Sequence, residues 1–321
     1  MAAESVAAQT FPLQDCNLEF HGDFAKPFCS ADVAAVQWQL QDCLMMELPQ
    51  RLNGGRAPSW TEVVKMCRSA QAAGVKRHLD GSRLFEVQPF YGLTLQELAR
   101  PFDSVLLSLS HGIGGMAGAV LVGSPSFVDE ARVWRERLGG ALKSYAPQWL
   151  HCRMQLQEIQ GSFPERLRHL KELVGALSAD SSLKQWLRFD PPTPEACMVH
   201  VYLRCNRDAL EAAHSKGCVA KGYRLWDQLR GPGHSRFRES EVYFEWVMGP
   251  ANAAFPVEEV VAAWRGLAKE VMHAGTTKIA SEIRAKVGLA EQADRRLKEA
   301  KFRKPRDSAD DTSTQTSGWQ T

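Results

Sequence analysis

The stretch that decides the fold is SVLLSLSHGIGGMAGAVLVG, residues 104–123. Residues 104–110 form a mostly apolar run that is typical of a buried strand, and residues 119–123 predict a second strand. A glycine-rich turn that contains His111 joins the two. The pattern therefore predicts strand, turn, strand.

Two other interpretations of this stretch are disfavoured. The glycines at 112, 114 and 118 could indicate a dinucleotide-binding turn, but such a turn opens a helix, whereas a strand is predicted to follow. Ser110 beside His111 could indicate a hydrolase. However, no G-x-S-x-G elbow is present, and adjacent residues of a strand point to opposite faces. Nicotinamide, flavin and serine-nucleophile chemistry are all disfavoured.

Further strands and helices alternate on the N-terminal side of this stretch. CLMMEL at residues 43–48 is a short apolar run closed by Pro49, and a second strand ends in HLD at residues 78–80. Capping boxes predict helix starts at two places, which are Ser59 with Glu62 and Thr94 with Glu97. The alternation predicts an α/β fold with a mostly parallel sheet that helices cover on both faces.

The residues that directly follow each predicted strand are the functional candidates. Ligands of parallel sheets bind at the carboxyl ends of the strands. Three segments occupy these positions, namely residues 49–51, 80–83 and 110–115.

The second half of the chain predicts a long helical connection and then a smaller α+β unit. Residues 147–177 have a helical pattern that is interrupted at Gly161. The smaller unit has predicted strands at 198–203 and 241–248 and helices around 208–215 and 256–271. We predict four parts: an irregular lead-in (1–30), a large domain (31–177), a small α+β domain (178–275), and a basic helix with a disordered tail (276–321).

Composition excludes several classes of partner. The chain has 321 residues, 44% hydrophobic and 24% charged, and a formal net charge of +2, which favours neither nucleic acid nor an anionic membrane. No apolar run spans a bilayer and the N-terminus lacks a signal-peptide pattern, so we expect a protein of the cytoplasm.

Cysteine and histidine spacing gives no support for a metal centre. The eight cysteines include no C-x-x-C pair and favour buried thiols, with zinc binding and disulfides as alternatives. The nine histidines show no H-x-x-x-H spacing. We expect no metal.

Asp80 and Arg83 form the most suggestive charged pair. In HLDGSRLFE a carboxylate at a strand end is followed by a glycine turn and a guanidinium. Spacing alone favours a local ion pair or a turn cap. A functional role needs a ligand that uses both charges, such as a cofactor with a basic ring nitrogen beside a substrate carboxylate.

Several motifs together resemble a known family. In chain order these are ELPQRLNGGRAPSWTEV, HLDGSRLFE, PFDSVLLSLSHGIGGMAGAVLVG and MVHVYL. Over residues 32–274 they resemble the aromatic amino-acid beta-eliminating lyase and threonine aldolase family, which has fold type I and uses pyridoxal phosphate. The resemblance implies retro-aldol cleavage of a β-hydroxy-α-amino acid, such as threonine to glycine and acetaldehyde.

The resemblance also implies roles for individual residues. Asp80 matches the aspartate that pairs with the protonated pyridine nitrogen of the cofactor, where a carboxylate keeps the ring an electron sink. Arg83 matches the arginine that binds the substrate carboxylate, which suits a planar bidentate fork. In the family both residues belong to the active site.

His111 departs from the family pattern. It occupies the position of the lysine that forms the Schiff base with the cofactor. Lys76 lies within the preceding predicted strand and Lys143 lies beyond the next helix, so neither replaces it without a rearrangement. Imidazole cannot tether the aldehyde, and we therefore expect no covalent cofactor and impaired activity. His111 keeps the capacity to hydrogen-bond the cofactor or to act as a base.

The shortened front is the second departure. About forty residues precede the ELPQR motif, and they do not resemble the family's phosphate-binding segment, so we expect the phosphate cradle to be missing. Family relatives are dimers or tetramers, which implies a homo-oligomer. Three hypotheses remain: an impaired threonine aldolase-like lyase that acts on a small amino acid, a catalytically silent relative that binds ligands or partners, and a fragment of a larger enzyme.

Overall fold

The computed structural model describes residues 29–34, 36–38, 42–221, 224–230 and 242–271. The predicted lead-in up to residue 28 and the predicted basic helix and tail after residue 275 lie outside this range. The structure therefore tests the central part of the sequence interpretation. No helix within the described ranges has the length and apolar character that a bilayer span requires.

The first sheet contains four strands in the order β1-β2-β3-β4, which are Cys43–Glu47, Lys76–Asp80, Ser104–Ser108 and Ala119–Val122. The first three are parallel and β4 is antiparallel to β3. All four lie where the sequence predicts strands. The direction of β4 follows from its connection, because residues 109–118 are too few for the crossover that a parallel strand needs.

Six α-helices belong to the first half of the described chain, and the two predicted capping boxes lie at the starts of two of them. They are α1 (Ser30–Ala34), α2 (Trp60–Ala72), α3 (Leu84–Tyr91), α4 (Leu95–Ala99), α5 (Pro125–Arg137) and α6 (Ala146–Ile159). Thr94 and Glu97 form both halves of the predicted capping box before α4. The box predicted at Ser59 is only half correct. Ser59 caps Glu62, but the Glu62 carboxylate accepts a hydrogen bond from the Ser30 amide instead (2.9 Å).

The second sheet is antiparallel, with β6 between β5 and β7. The strands are β5 (Leu187–Asp190), β6 (Met198–Leu203) and β7 (Val242–Val247). Four helices accompany it, namely α7 (Phe163–Ala179), α8 (Arg207–Lys221), α9 (Pro250–Ala253) and α10 (residues 257–271). The sequence predicts β6, β7, α8 and α10, but not β5. LRFD is too short and too charged to suggest a strand without its partner.

The core of the first sheet lies on one side of β1. Leu44 and Met46 are buried there against α2, whereas Met45 on the other face is 44% exposed. In the second sheet Trp264 of α10 is fully buried and contacts the rings of Trp246 and Phe244. The domain boundary that we place at residue 177 stays a prediction.

A glycine loop after β1 brings the first sheet against the second. Gly54 and Gly55 have φ of 72° and 81°, in the region that favours glycine. A Cβ on Gly54 would lie 2.1 Å from the carbonyl oxygen of Asp190, and one on Gly55 would lie 2.5 Å from Cγ of Met198. The close approach places Arg51 between the two sheets.

Candidate active site at the strand ends

The carboxyl ends of β1, β2 and β3 bring together the residues that the sequence singles out. Glu47 and Asp80 are register partners at the ends of β1 and β2, and Asp80 pairs in turn with Leu106 of β3. His111 follows β3 after three residues. We call Glu47, Asp80, Arg83 and His111 the strand-end site.

Asp80 is fixed by its own turn and keeps one oxygen open. Its Oδ1 accepts hydrogen bonds from the Ser82 amide (2.9 Å) and the Ser82 hydroxyl (2.5 Å). Among the described residues, none donates a hydrogen bond to Oδ2. A half-buried carboxylate with one held and one open oxygen can accept a proton-bearing ligand nitrogen.

Arg83 directly precedes α3 and is paired with a residue that the sequence interpretation missed. Its Nη1 donates to Oε1 of Glu86 at 2.8 Å, and the side chains of Arg83 and Glu86 are 12% and 1% exposed. Burial raises the pKa of Glu86, and the Arg83 and Arg166 guanidiniums act in the opposite direction. Spacing favours a local ion pair or a turn cap: Asp80 and Arg83 do not pair with each other, whereas Asp80 caps its own turn through Ser82. The sequence gives no distinct signal for Glu86, which only closes the motif HLDGSRLFE three residues after Arg83.

His111 lies exposed at the glycine-rich turn. Its Nδ1 is 2.9 Å from Oγ of Ser108. The pKa of His111 is lowered, first because neighbouring protein partly desolvates the ring, then because Arg83 and Arg51 are positively charged; Asp80 opposes this. The imidazole is therefore mostly neutral near pH 7, and Asp80, Arg83 and His111 lie close enough to interact electrostatically.

Glu47 is a second residue that the sequence interpretation missed. Burial and, second, the Asp80 carboxylate raise its pKa to about 7, although the amide and guanidinium of Arg51 act in the opposite direction. The only signal in the sequence is that Glu47 is the one charged residue in the apolar run of β1. Glu47 therefore carries a proton for part of the time near neutral pH, which reduces its repulsion of the neighbouring Asp80 carboxylate.

The donor set suits part of the cofactor that the resemblance implies. The open oxygen of Asp80 fits a protonated pyridine nitrogen, and the Arg83 guanidinium fits a carboxylate. The set does not suit covalent attachment, because Lys76 begins β2 at the end opposite Asp80 and Lys143 follows α5. Within the described ranges no group of three ligating side chains could hold a metal ion.

The sequence matches the family model of the beta-eliminating lyases over residues 26–199, which is more than half of the chain. The chain belongs to the beta-eliminating lyase family. Its α/β architecture is that of the fold-type I enzymes in this family, as predicted.

Similarity to individual lyases is clear but partial. Low-specificity L-threonine aldolase 1 of Arabidopsis thaliana is 31% identical over 147 residues, which cover 46% of this chain and 40% of that protein. Among solved structures, a putative L-allo-threonine aldolase of Listeria monocytogenes superposes with a TM-score of 0.72 at 30% identity, covering 81% of this chain and 69% of that one. A putative aromatic amino acid beta-eliminating lyase/threonine aldolase from Exiguobacterium has a TM-score of 0.70 at 25% identity, covering 84% and 79%. The chain spans less than half the length of the curated relatives it matches.

Proposed function

We propose that this chain is a threonine aldolase-like lyase with impaired activity, which binds pyridoxal phosphate without a covalent bond. The observation that carries the proposal is the convergence of Asp80, Arg83 and His111 at the ends of parallel strands. The matched relatives from Arabidopsis thaliana and Listeria monocytogenes are named as threonine aldolases, which supports a β-hydroxy-α-amino acid as substrate.

Three residues of the strand-end site, Asp80, Arg83 and His111, have a task in this proposal. Pyridoxal phosphate, when bound, supplies the electron sink for cleavage of the bond between the α and β carbons. Asp80 holds the ring nitrogen through Oδ2, and Arg83 binds the α-carboxylate of the substrate. Neutral His111 donates from Nδ1 to Ser108 and accepts the proton of the substrate hydroxyl at Nε2. That proton transfer accompanies release of the aldehyde.

A second function is favoured by His111 itself. A histidine cannot tether the cofactor, so the scaffold could bind cofactor and amino acid without turning the substrate over. In this case the chain is a catalytically silent binding protein. The two functions differ in product formation and share ligand binding.

The decisive experiment combines absorption spectra with product analysis. The purified chain is mixed with pyridoxal phosphate, spectra are recorded before and after borohydride, and acetaldehyde release from L-threonine is measured. We expect no covalent adduct, with slow acetaldehyde release that His111→Asn abolishes. Binding without release would establish the silent protein, and a covalent adduct in the unmodified chain would overturn the non-covalent proposal.

His111→Lys separates the missing amine from the rest of the scaffold. If the remaining site is competent, this variant captures the cofactor covalently, and borohydride reduction fixes it to residue 111, as peptide mass analysis would show. Failure of His111→Lys to capture the cofactor would place the defect elsewhere in the site.

We also propose that the chain forms a homo-oligomer in the cytoplasm. Large apolar side chains are exposed around β4 and α6, namely Met116, Val120, Val122, Trp149, Leu150 and Met154. Helix α5 has acidic residues in its first half and arginines in its last turn, so an antiparallel second copy would pair opposite charges.

The buried thiols of Cys67 and Cys197 suit a reducing compartment, which supports the cytoplasm. Sedimentation equilibrium tests the assembly, and Trp149→Glu should shift a dimer to monomer; a monomer at all concentrations would contradict it.

A further inference from the structure

Glu86 connects two parts of the strand-end site through a single oxygen atom. Its side chain is almost fully buried in the first turn of α3. Oε1 accepts from Nη1 of Arg83 at 2.8 Å and from the amide of Gly112 at 3.1 Å. Gly112 directly follows His111, so the carboxylate that holds Arg83 also holds the turn that carries His111.

Arg166 of α7 binds the same turn through a backbone carbonyl group. Its Nη1 donates to the carbonyl oxygen of Gly112 at 2.8 Å, and its side chain is 2% exposed. The guanidinium lies over the ring of Phe163, 4.5 Å from the centroid. Both backbone hydrogen-bonding groups of Gly112 are thus fixed by buried charged side chains.

The approach of Glu86 also explains why residue 112 is a glycine. A Cβ on Gly112 would lie 2.7 Å from both Cγ and Oε1 of Glu86. Residue 112 is therefore a glycine because a side chain there would clash with a buried carboxylate. Binding of a dinucleotide phosphate is not the reason.

We propose that Glu86 is a positioning residue that presents the Arg83 guanidinium and the His111 imidazole to the same bound amino acid. The proposal rests on the proposed function, because it takes Arg83 as the carboxylate-binding group. Glu86 does not touch the ligand; it acts through Arg83 and through the backbone of Gly112. A guanidinium held at one nitrogen keeps its other nitrogens for the carboxylate of the ligand.

The experiment separates positioning from packing with four variants. Glu86→Gln keeps the shape of the side chain and removes its charge, and Glu86→Ala removes the side chain. Gly112→Ala introduces the clash, and the Glu86→Ala/Gly112→Ala double variant relieves it by placing a methyl group where the carboxylate stood. Glu259→Gln, an exposed charge change on α10, is the control. The full chain with pyridoxal phosphate is titrated with L-threonine by calorimetry, and Tm is measured for each variant.

We expect Glu86→Gln to weaken threonine binding about tenfold, as loss of a hydrogen bond to a charged group predicts. The double variant should regain Tm relative to Gly112→Ala but should not regain affinity. A double variant that binds threonine as well as the unmodified chain would overturn the proposal, because packing alone would then suffice.

The titration of His111, followed by NMR, gives a second test that needs no ligand. Loosening of the turn exposes the imidazole to solvent, so Glu86→Gln should raise the His111 pKa toward its ordinary value. If the unmodified chain does not bind threonine, the proposed function fails, and the His111 titration still decides whether Glu86 fixes the turn. Loss of the Glu86 charge alone would lower the His111 pKa, so an unchanged or lowered His111 pKa in Glu86→Gln would reject the positioning role.

Discussion

Two histidines of this chain have similar charged neighbours, but one is exposed and the other is buried. His111 is exposed after β3, near Asp80, Arg83 and Arg51. His200 is 2% exposed in β6, where its register partners are Asp190 on β5 and Glu245 on β7. Around His200 each carboxylate already has an arginine: Glu245 binds Arg51 at 3.0 Å, and Asp190 binds Arg56 at 2.5 Å.

The difference supports the strand-end site, and not the His200 cluster, as the proposed ligand site. The His200 cluster is closed, because its carboxylates are paired inside a sheet. The strand-end site is open, because Oδ2 of Asp80 and the ring of His111 are available. Arg51 takes part in both, since it binds Glu245 and lowers the pKa of both histidines. We infer that the His200 cluster stabilises the fold and that the strand-end site serves function.

Breaking the closed cluster should have the largest effect on stability. Glu245→Ala leaves Arg51 and Arg230 without their shared carboxylate, and we expect a loss of about 3 kcal/mol in the free energy of unfolding. Urea denaturation measures it. Glu258→Ala, an exposed carboxylate on α10, is the matched control and should change stability by less than about 0.5 kcal/mol. Equal effects for the two variants would show that the cluster is not closed.

The pH dependence of stability should distinguish the two histidines next. Burial lowers the pKa of His200 from 6.5 to about 4, although Glu245 and Asp190 oppose this shift. Between these values the unfolded chain binds the proton and the folded chain does not, so stability falls as pH decreases from 6.5 toward 4.

At pH 5 the contribution of His200 to this loss is about 2 kcal/mol. His200→Gln should remove it from urea unfolding curves measured between pH 7 and pH 5. His111→Gln is the comparison and should change the slope less, because His111 is exposed. The same slope change for both variants would contradict the assignment.

The third prediction concerns ligand binding at the open site. Asp80→Asn removes the negative charge but keeps the turn with Ser82, so we expect about tenfold weaker binding of pyridoxal phosphate and little change in Tm. Fluorescence titration with the cofactor measures the affinity. Asp208→Asn, at an exposed position of α8, serves as the control, and unchanged affinity in Asp80→Asn would remove Asp80 from the site.

The smallest effect is expected at Glu47. Its folded pKa of about 7 lies above the ordinary 4.5, so the folded chain binds the extra proton and stability falls as pH rises from 4.5 through 7. The full shift corresponds to about 3 kcal/mol at pH 8. Because Glu47 is only partly buried, solvent screening reduces this, and Glu47→Gln should stabilise the chain by about 1 kcal/mol at pH 8, with no gain at pH 4. Thermal denaturation at the two pH values tests this. A stability gain that does not depend on pH would show that charge is not the cause.

Local signals in the sequence predict most of the first sheet. The apolar runs of β1 and β3 and the cap at Thr94 with Glu97 depend on neighbours in the chain, and the structure confirms them. Strand β5 could not be predicted, because Phe189 and Asp190 are buried by segments that are distant in the chain, among them β6 and the loop at Gly54. The capping box at Ser59 is half formed for a similar reason, because the Glu62 carboxylate accepts a hydrogen bond from the amide of Ser30, which is distant in the chain.

For the candidate site, the sequence predicts positions better than partners. Asp80, Arg83 and His111 lie where strand ends are predicted, but spacing pairs Arg83 with Asp80, whereas the folded chain pairs it with Glu86. Glu86 and Arg166 are 80 residues apart in number yet both contact Gly112. Contacts of this range leave no periodic trace in the sequence.

The sequence by itself determined the strand ends, the glycine-rich turn, the histidine at position 111 and the resemblance to the family, because each depends on residue type and local order. Only the tertiary structure decided which charged groups are paired and buried and which remain available to a ligand. Burial and pairing set the state of a carboxylate or an imidazole, and both arise from segments that meet in space. For this reason His111 and His200, which are alike as letters in the sequence, differ in what they can do.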